Sequence, residues 1–258
     1  VTEEGRLGGP IYNLEYFVEK ARKFQDMGAD SICLKDMGGL LAPYDAYELV
    51  SALKAALTVP LQLHTHYTSG MASMSVLKAI EAGLDMVDTC LSPLALRTSQ
   101  PAVEPLLTTL QGGDRDPGLP IDELLDIGDV LELALPRYSA HLERPKSAVI
   151  DARVLSHQIP GGMASNLVSQ LRDADALDRL DEVLRDIPQT RADMGFPPLV
   201  TPMSQMVGSQ SVSNVLFGRY EMISEPVKDY IRGDYGNPPA PVDGALKRKA
   251  LQDAEVGG

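Results

Sequence analysis

His64 and His66 are the residues of this chain best spaced for chemistry. They lie in the run Leu61-Gln-Leu-His64-Thr-His66, and on a strand residues i and i+2 point to the same side. Two imidazoles then stand together, a natural pair of nitrogen ligands for a divalent metal. The plainer alternative is two buried histidines with ordinary hydrogen bonds. Lys35 is the next candidate. It closes an apolar run, where desolvation would lower the pKa of its amine. A neutral amine reacts with CO2 to give a carbamate, an anion that binds metal through oxygen. The alternative is an ion pair with Asp36 or Asp88. Ser165 follows the tight turn Pro160-Gly161-Gly162, and a hydroxyl held near such a loop can relay a proton. The same residue can equally serve as a helix N-cap. His141 and His157 stand singly and read as solvated or core side chains. Cys33 and Cys90, both inside apolar runs, read as small buried side chains and not as a disulfide framework.

The elements that must position these groups alternate. A helical pattern of Leu14, Phe17, Val18, Ala21 and Phe24 begins after the N-cap candidate Asn13 and stops at Gly28. A short apolar run from Ser31 leads into Lys35 and Asp36. A second helix follows, with Tyr47, Val50, Leu53 and Leu57 on one face. The strand 61–66 comes next, then a helix with Met74, Leu77 and Ile80 inward, then a strand over 86–91. A helix over 101–110 ends this half. Strand and helix in strict alternation predict a parallel sheet with helices outside it, as in a barrel or a doubly wound sheet. Each strand delivers polar residues at its C-terminal end: Lys35 and Asp36, His64 and His66, Asp88 and Thr89. That edge is where active sites of parallel α/β folds are built. The turn-rich stretch 113–120 reads as a linker, and from Ile121 the chain reads mainly as helices.

Bulk properties exclude some function classes. Of 258 residues, 44% are hydrophobic and 23% charged, which suits a folded core rather than wholesale disorder. A formal net charge of -13 argues against nucleic acid or an anionic membrane surface as partner. The first ten residues contain no apolar signal-peptide stretch, and no apolar run approaches the length of a membrane span, so a cytoplasmic protein is expected.

Three blocks together resemble the biotin-dependent carboxyltransferases. They are Cys33-Leu-Lys35-Asp36-Met37-Gly-Gly39-Leu40-Leu41, Leu61-Gln-Leu-His64-Thr-His66-Tyr-Thr-Ser-Gly70 and Met86-Val-Asp88-Thr-Cys90. Thr98-Ser-Gln100-Pro101, Ile159-Pro-Gly-Gly-Met-Ala-Ser-Asn166-Leu, Leu199-Val-Thr-Pro-Met-Ser-Gln205-Met-Val-Gly208 and Gly233-Asp-Tyr-Gly-Asn-Pro-Pro-Ala-Pro241-Val extend the likeness. The family includes pyruvate carboxylase, its separate B subunit, the oxaloacetate decarboxylase alpha subunit and the pyruvate-side subunit of transcarboxylase. The resemblance implies an α/β fold: the C-terminal part of a TIM (β/α)8 barrel, strands six to eight, over residues 1–112, followed by a mostly α-helical carboxylase domain over 113–258. It implies CO2 transfer between carboxybiotin and pyruvate or oxaloacetate, in either direction. A divalent metal (Zn, Mn or Co) is implied, with His64, His66, a carbamylated Lys35 and a first-strand Asp as ligands. Ser165 stands where the family usually has a proton-relaying Thr between biotin and pyruvate. Tyr67 replaces an Asp found in some members.

The resemblance also implies that the first five barrel strands lie outside this chain, and with them the metal-binding Asp and the Arg and Gln that would grip pyruvate. The chain has no Ala-Met-Lys-Met biotin-attachment block, so biotin is expected on a partner, a biotin carboxyl carrier protein. Biotin carboxylase or membrane decarboxylase subunits and a homo-oligomer are further implied partners. An inactive fragment or docking subunit of such an enzyme is the alternative. Another metal-dependent lyase or synthase barrel is the third reading.

Overall fold

Asn13 opens the chain's first helix as its side chain predicts: Oδ1 accepts the Tyr16 N–H at 2.8 Å. The computed structural model describes residues 9, 11–139, 150–152, 154–157, 159 and 161–252, with the backbone only of Ser156, His157, Gly161, Gly162, Ser165 and Gln252. The chain divides into two compact units, Val1–Gln158 and Ile159–Gly258. Among the described residues no helix is long and apolar enough to cross a membrane.

In the first unit the order is α1 (Leu14–Asp26), β1 (Ile32–Asp36), α2 (Pro43–Ala56), β2 (Leu61–Thr65), α3 (Ala72–Glu81), β3 (Met86–Val87), α4 (Val103–Leu110), α5 (Ile121–Ala134) and the short α6 (Val154–His157). The strands form a parallel sheet in the order β1-β2-β3. Parallel strands need crossover helices, and α2 and α3 supply them. Leu49, Val50 and Leu53 of α2 pack with Leu61 and Leu63 of β2 and with Val76, Ala79 and Ile80 of α3. Most of the predicted helix faces are buried, Ala21 of α1, Val50 and Leu53 of α2 and Ile80 of α3 among them, but their margins differ. Tyr47, Phe24 and Met74 are exposed, and α3 buries Ala72, Ser75 and Val76 instead. The stretch 113–120 connects α4 to α5 inside this unit, and α5 packs against α4.

The second unit holds α7 (Gly161–Asp173), α8 (Leu180–Asp193), α9 (Met203–Phe217), α10 (Glu225–Arg232) and α11 (Gly244–Gln252). Its core runs from Met163, Leu167 and Leu171 through Val183 and Ile187 to Met206, Val207 and Leu246. α9 is central, with Ser204, Met206, Val207, Gly208, Gln210, Ser211, Val212 and Asn214 all buried. A helix buried on several sides has no amphipathic stripe to read. A Cβ on Gly208 would meet Met163 Cε at 3.0 Å and Leu167 Cδ2 at 3.1 Å, so glycine sets how closely α7 approaches.

A polar network ties α8 to the turn after α9. Asn214 donates to Thr190 Oγ1 at 3.0 Å, Thr190 donates to Asp186 at 2.6 Å, and Arg219 pairs with both Asp186 and Asp193. Burial pushes the Asp193 carboxyl up, but hydrogen bonds from the Tyr220 hydroxyl, Arg219 and Gln189 outweigh it and hold it below the ordinary carboxylate value. A carboxyl depressed in the folded state stabilises above its unfolded pKa, and that contribution disappears as pH falls. The second unit is therefore expected to lose stability steadily below about pH 4, the ordinary Asp range. Asp193→Asn should be less stable at pH 7 and decline more shallowly in acid, as measured by thermal melts across pH. An unchanged acid slope would remove Asp193 from this role.

Candidate metal centre

Register and alternation sort the strand residues. Lys35 stands beside His64, and Asp36 beside Thr65. Ile32, Leu61, Leu63 and Thr65 are buried under the helices. Cys33, Lys35, Gln62 and His64 take the other face, because side chains alternate across a strand. The Asp88 N–H donates to Leu63 O at 3.0 Å, which carries the ladder one residue past β3 and sets Asp88 alongside His64.

The loop after β1 is latched to the end of β2. Asp36 accepts the N–H groups of Leu40 at 2.9 Å and Leu41 at 3.0 Å, and the Thr65 hydroxyl at 2.8 Å. The His66 N–H donates to Asp36 O at 3.1 Å, and the Ser69 hydroxyl donates to Gly39 O. Asp36 is thus engaged by its loop and the neighbouring strand. Gly39 takes φ +64° and lies so near His66 O that a Cβ there would fall inside 3.0 Å.

The two imidazoles converge. His64 Nε2 and His66 Nε2 lie 3.2 Å apart, with ring centroids at 5.1 Å and planes at 65°. His64 Nδ1 is 2.7 Å from Asp88 Oδ2, and His66 Nδ1 meets the Thr98 carbonyl oxygen. A carbonyl oxygen and a carboxylate accept only. Both Nδ1 atoms therefore carry hydrogen, and in the neutral rings both Nε2 lone pairs would face the same point. Facing lone pairs repel unless a cation lies between them. Nitrogens about 2.0–2.1 Å from one zinc would be 3.2 Å apart at an angle of roughly 100°. The donor chemistry fits a divalent metal. Holding a ligating His through its other ring nitrogen is the usual support for such a site. Gln100 reaches the pair from the loop before α4. Its Nε2 is 3.5 Å from His64 Nε2, and its Oε1 takes the Cys90 thiol at 3.1 Å.

Some expectations fail here. Lys35 is exposed and not buried as its apolar run predicts, because its side of the sheet faces away from the covering helices. Cys33 is exposed for the same reason, and Cys90 is half-buried; neither is a buried core side chain. Gly161, Gly162 and Ser165 lie within α7, not in a loop before a helix, so Ser165 is no N-cap. The Ser165 side chain, that of His157, and His141 as a whole lie outside the described residues. Among the described residues no group of three or more His, Cys, Asp or Glu side chains is set to hold a metal, so the pair His64 and His66 is the donor set the fold assembles from these types.

Comparison with known proteins bears on the chain as a whole. Residues 12–131 match the HMGL-like family model, and residues 154–257 match the model described as Conserved carboxylase domain. The B subunit of pyruvate carboxylase from Methanocaldococcus jannaschii is 49% identical over 95% of this chain and 43% of its own length. The chain is similar to this protein over nearly the whole of its own length. A second relative, the 2-oxoglutarate carboxylase large subunit of Hydrogenobacter thermophilus, is 40% identical over 94% of this chain and 37% of its own length. The solved carboxyl transferase domain of Rhizobium etli pyruvate carboxylase, with pyruvate, superposes with a TM-score of 0.85 at 34% identity, over 94% of this chain and 42% of that one. The chain thus spans less than half the length of these relatives. Its first unit has the α/β alternation of an HMGL-like TIM-barrel domain, and its second unit carries the carboxylase domain. Sequence reasoning missed Gln62 and Gln100, and named Asp88 only as a rim group or a partner for Lys35. Gln62 was findable: it is two residues before His64 on the same strand.

Proposed function

We propose that this chain supplies metal-holding strands and the helical domain of a biotin-dependent carboxyltransferase moving CO2 between carboxybiotin and pyruvate or oxaloacetate. The observation that carries the reading is the pair of Nε2 atoms 3.2 Å apart with both Nδ1 atoms tied to acceptors. His64 and His66 hold a divalent metal: Zn, Mn or Co. Lys35, in register with His64, joins them as a carbamate, formed from its amine and CO2 with loss of one proton. When bound, the metal supplies Lewis-acid polarisation of the 2-oxo acid. The Ser165 hydroxyl moves the proton. In the carboxylation direction the pyruvate methyl carbon loses a proton and gains CO2, and the biotin nitrogen that released CO2 takes that proton. Decarboxylation is the reverse. Biotin arrives on a biotin carboxyl carrier protein. Biotin carboxylase or membrane decarboxylase subunits, and further copies of this chain, complete a cytoplasmic assembly.

One paired experiment tests the two roles. Lys35→Ala should lose bound metal by elemental analysis and lose transfer with it. Ser165→Ala should keep its metal and transfer about 10²–10⁴-fold more slowly, the range for a positioned proton-transfer group. Full metal in the first variant, or near-normal turnover in the second, overturns that residue's role. If neither metal nor transfer is found in the unaltered protein, a docking subunit replaces the enzymatic reading.

A further inference from the structure

We infer that Asp88, itself held by Gln62, is a positioning residue that sets the tautomer of His64 and so turns its Nε2 lone pair toward His66. The inference rests on the metal reading above only for its consequence; the tautomer stands on geometry alone. Asp88 uses both oxygens: Oδ2 faces His64 Nδ1 at 2.7 Å, and Oδ1 accepts Gln62 Nε2 at 2.6 Å. Gln62 and His64 are two residues apart on β2 and share a face, so one carboxylate spans both from the adjacent strand end. A group that accepts at both oxygens leaves His64 no choice but to carry hydrogen on Nδ1.

The two halves of the pair are held differently. His66 is oriented by the backbone carbonyl of Thr98, which no substitution removes. His64 is oriented by a side chain, which makes it the half that can be tested. Left alone, a neutral imidazole favours hydrogen on Nε2. In His64 that hydrogen would point at His66 Nε2, 3.2 Å away, and bridge the two rings. The pair would then be closed by its own hydrogen bond. Asp88 prevents this. Asparagine at 88 would favour the closed form, because its oxygen would keep the Gln62 donor and its amide nitrogen would face His64 Nδ1.

The experiment records long-range 1H–15N spectra of the histidine rings in the 258-residue chain, free of metal and at a pH where the ring 15N shifts themselves report neutral imidazole. His64 is expected as the Nδ1–H tautomer in the unaltered chain, and as Nε2–H in both Asp88→Asn and Asp88→Ala. A His64 that keeps Nδ1–H in both variants, or shows Nε2–H in the unaltered chain, overturns the inference. Asp88→Glu keeps an acceptor and should keep Nδ1–H; a residue needed only for folding would show no such division between Glu and Asn. Cobalt(II) titration gives the consequence: affinity should fall about 10–100-fold in Asp88→Asn. Unaltered affinity after a tautomer change would deny that the tautomer matters to metal. Failure of the unaltered chain to bind cobalt would overturn the metal reading and leave the tautomer to be decided by the spectra.

Discussion

Alanine at both His64 and His66 is expected to strip the bound divalent metal from the protein and to lower the proposed carboxyl transfer by about 10³-fold or more. Lewis-acid polarisation supplies several kcal/mol to a reacting carbonyl, and each 1.36 kcal/mol is tenfold in rate. The double variant removes both converging Nε2 atoms and leaves only Lys35 of the proposed ligands in this chain. Stability should change little. Neither ring belongs to the cluster of Leu53, Leu61, Leu63 and Val76 that forms the core of the first unit. The substitutions delete hydrogen bonds to Asp88 and Thr98, each worth about 0.5–1.5 kcal/mol net, and the repulsion of two facing lone pairs goes with them. Elemental analysis, turnover and a melting curve on one preparation check this. Retained metal would place the metal elsewhere. A collapsed melting curve would mean that the rings are structural.

Gly39→Ala is expected to cost about 2–4 kcal/mol and to disturb the same site without touching either imidazole. Two penalties combine. The residue sits at φ +64°, where an L side chain is strained, and the new Cβ would lie inside 3.0 Å of His66 O, 3.2 Å from His66 C and 3.3 Å from Thr68 N. These are backbone atoms, which cannot rotate away as a side-chain tip would. Relief would require the loop after β1 to leave the end of β2, breaking the latch through Asp36. Gly118 separates the penalties. It has φ +66° with nothing within 4 Å, so Gly118→Ala carries the conformational cost alone, about 1 kcal/mol. Urea denaturation of the two variants should differ by at least the clash. Equal costs would show that the close approach at Gly39 is not rigid.

The sequence made the alternation of the first unit legible, with the strands at 32–36 and 61–65 and the gathering of ionisable groups at the strand ends. Periodicity says which residues share a face of a strand or helix. It does not say which face will be covered. An apolar run predicts burial for Lys35 and Cys33, yet alternation puts them on the side away from α2 and α3. Tyr47 and Met74 mislead at the margin of their faces, since beside Val50, Leu53 and Ile80 the buried surface of α2 and α3 includes small residues such as Ala46, Ala72 and Ala79, which carry little weight in a hydrophobic pattern. The site was half visible. His-x-His is a local signal, whereas the partners of its Nδ1 atoms come from residues 88 and 98, and their distance in sequence hides them. The helical unit was the least legible, because α9 is buried almost all round. Glycines opening α7 read as a loop because glycine is a poor helix former, and packing of Met163, Leu167 and Leu171 overrides that preference.

The carbonyl that orients His66 belongs to a loop that is tied to itself and to β2's end. Leu96 N–H donates to Gln100 O at 2.8 Å, Cys90 N–H to Pro101 O at 3.0 Å, and Tyr67 N–H to Ser99 O at 2.7 Å. Leu96 and Arg97, at φ 67° and 55°, turn the chain just before Thr98. A backbone acceptor is present whatever side chain its residue bears. The aim of this second ring is therefore written in the number of residues between β3 and α4 and in the path they take, not in the identity of residue 98. Over evolutionary time such a feature tolerates spelling changes and resists insertions, so a comparison that scores letters alone would undervalue it.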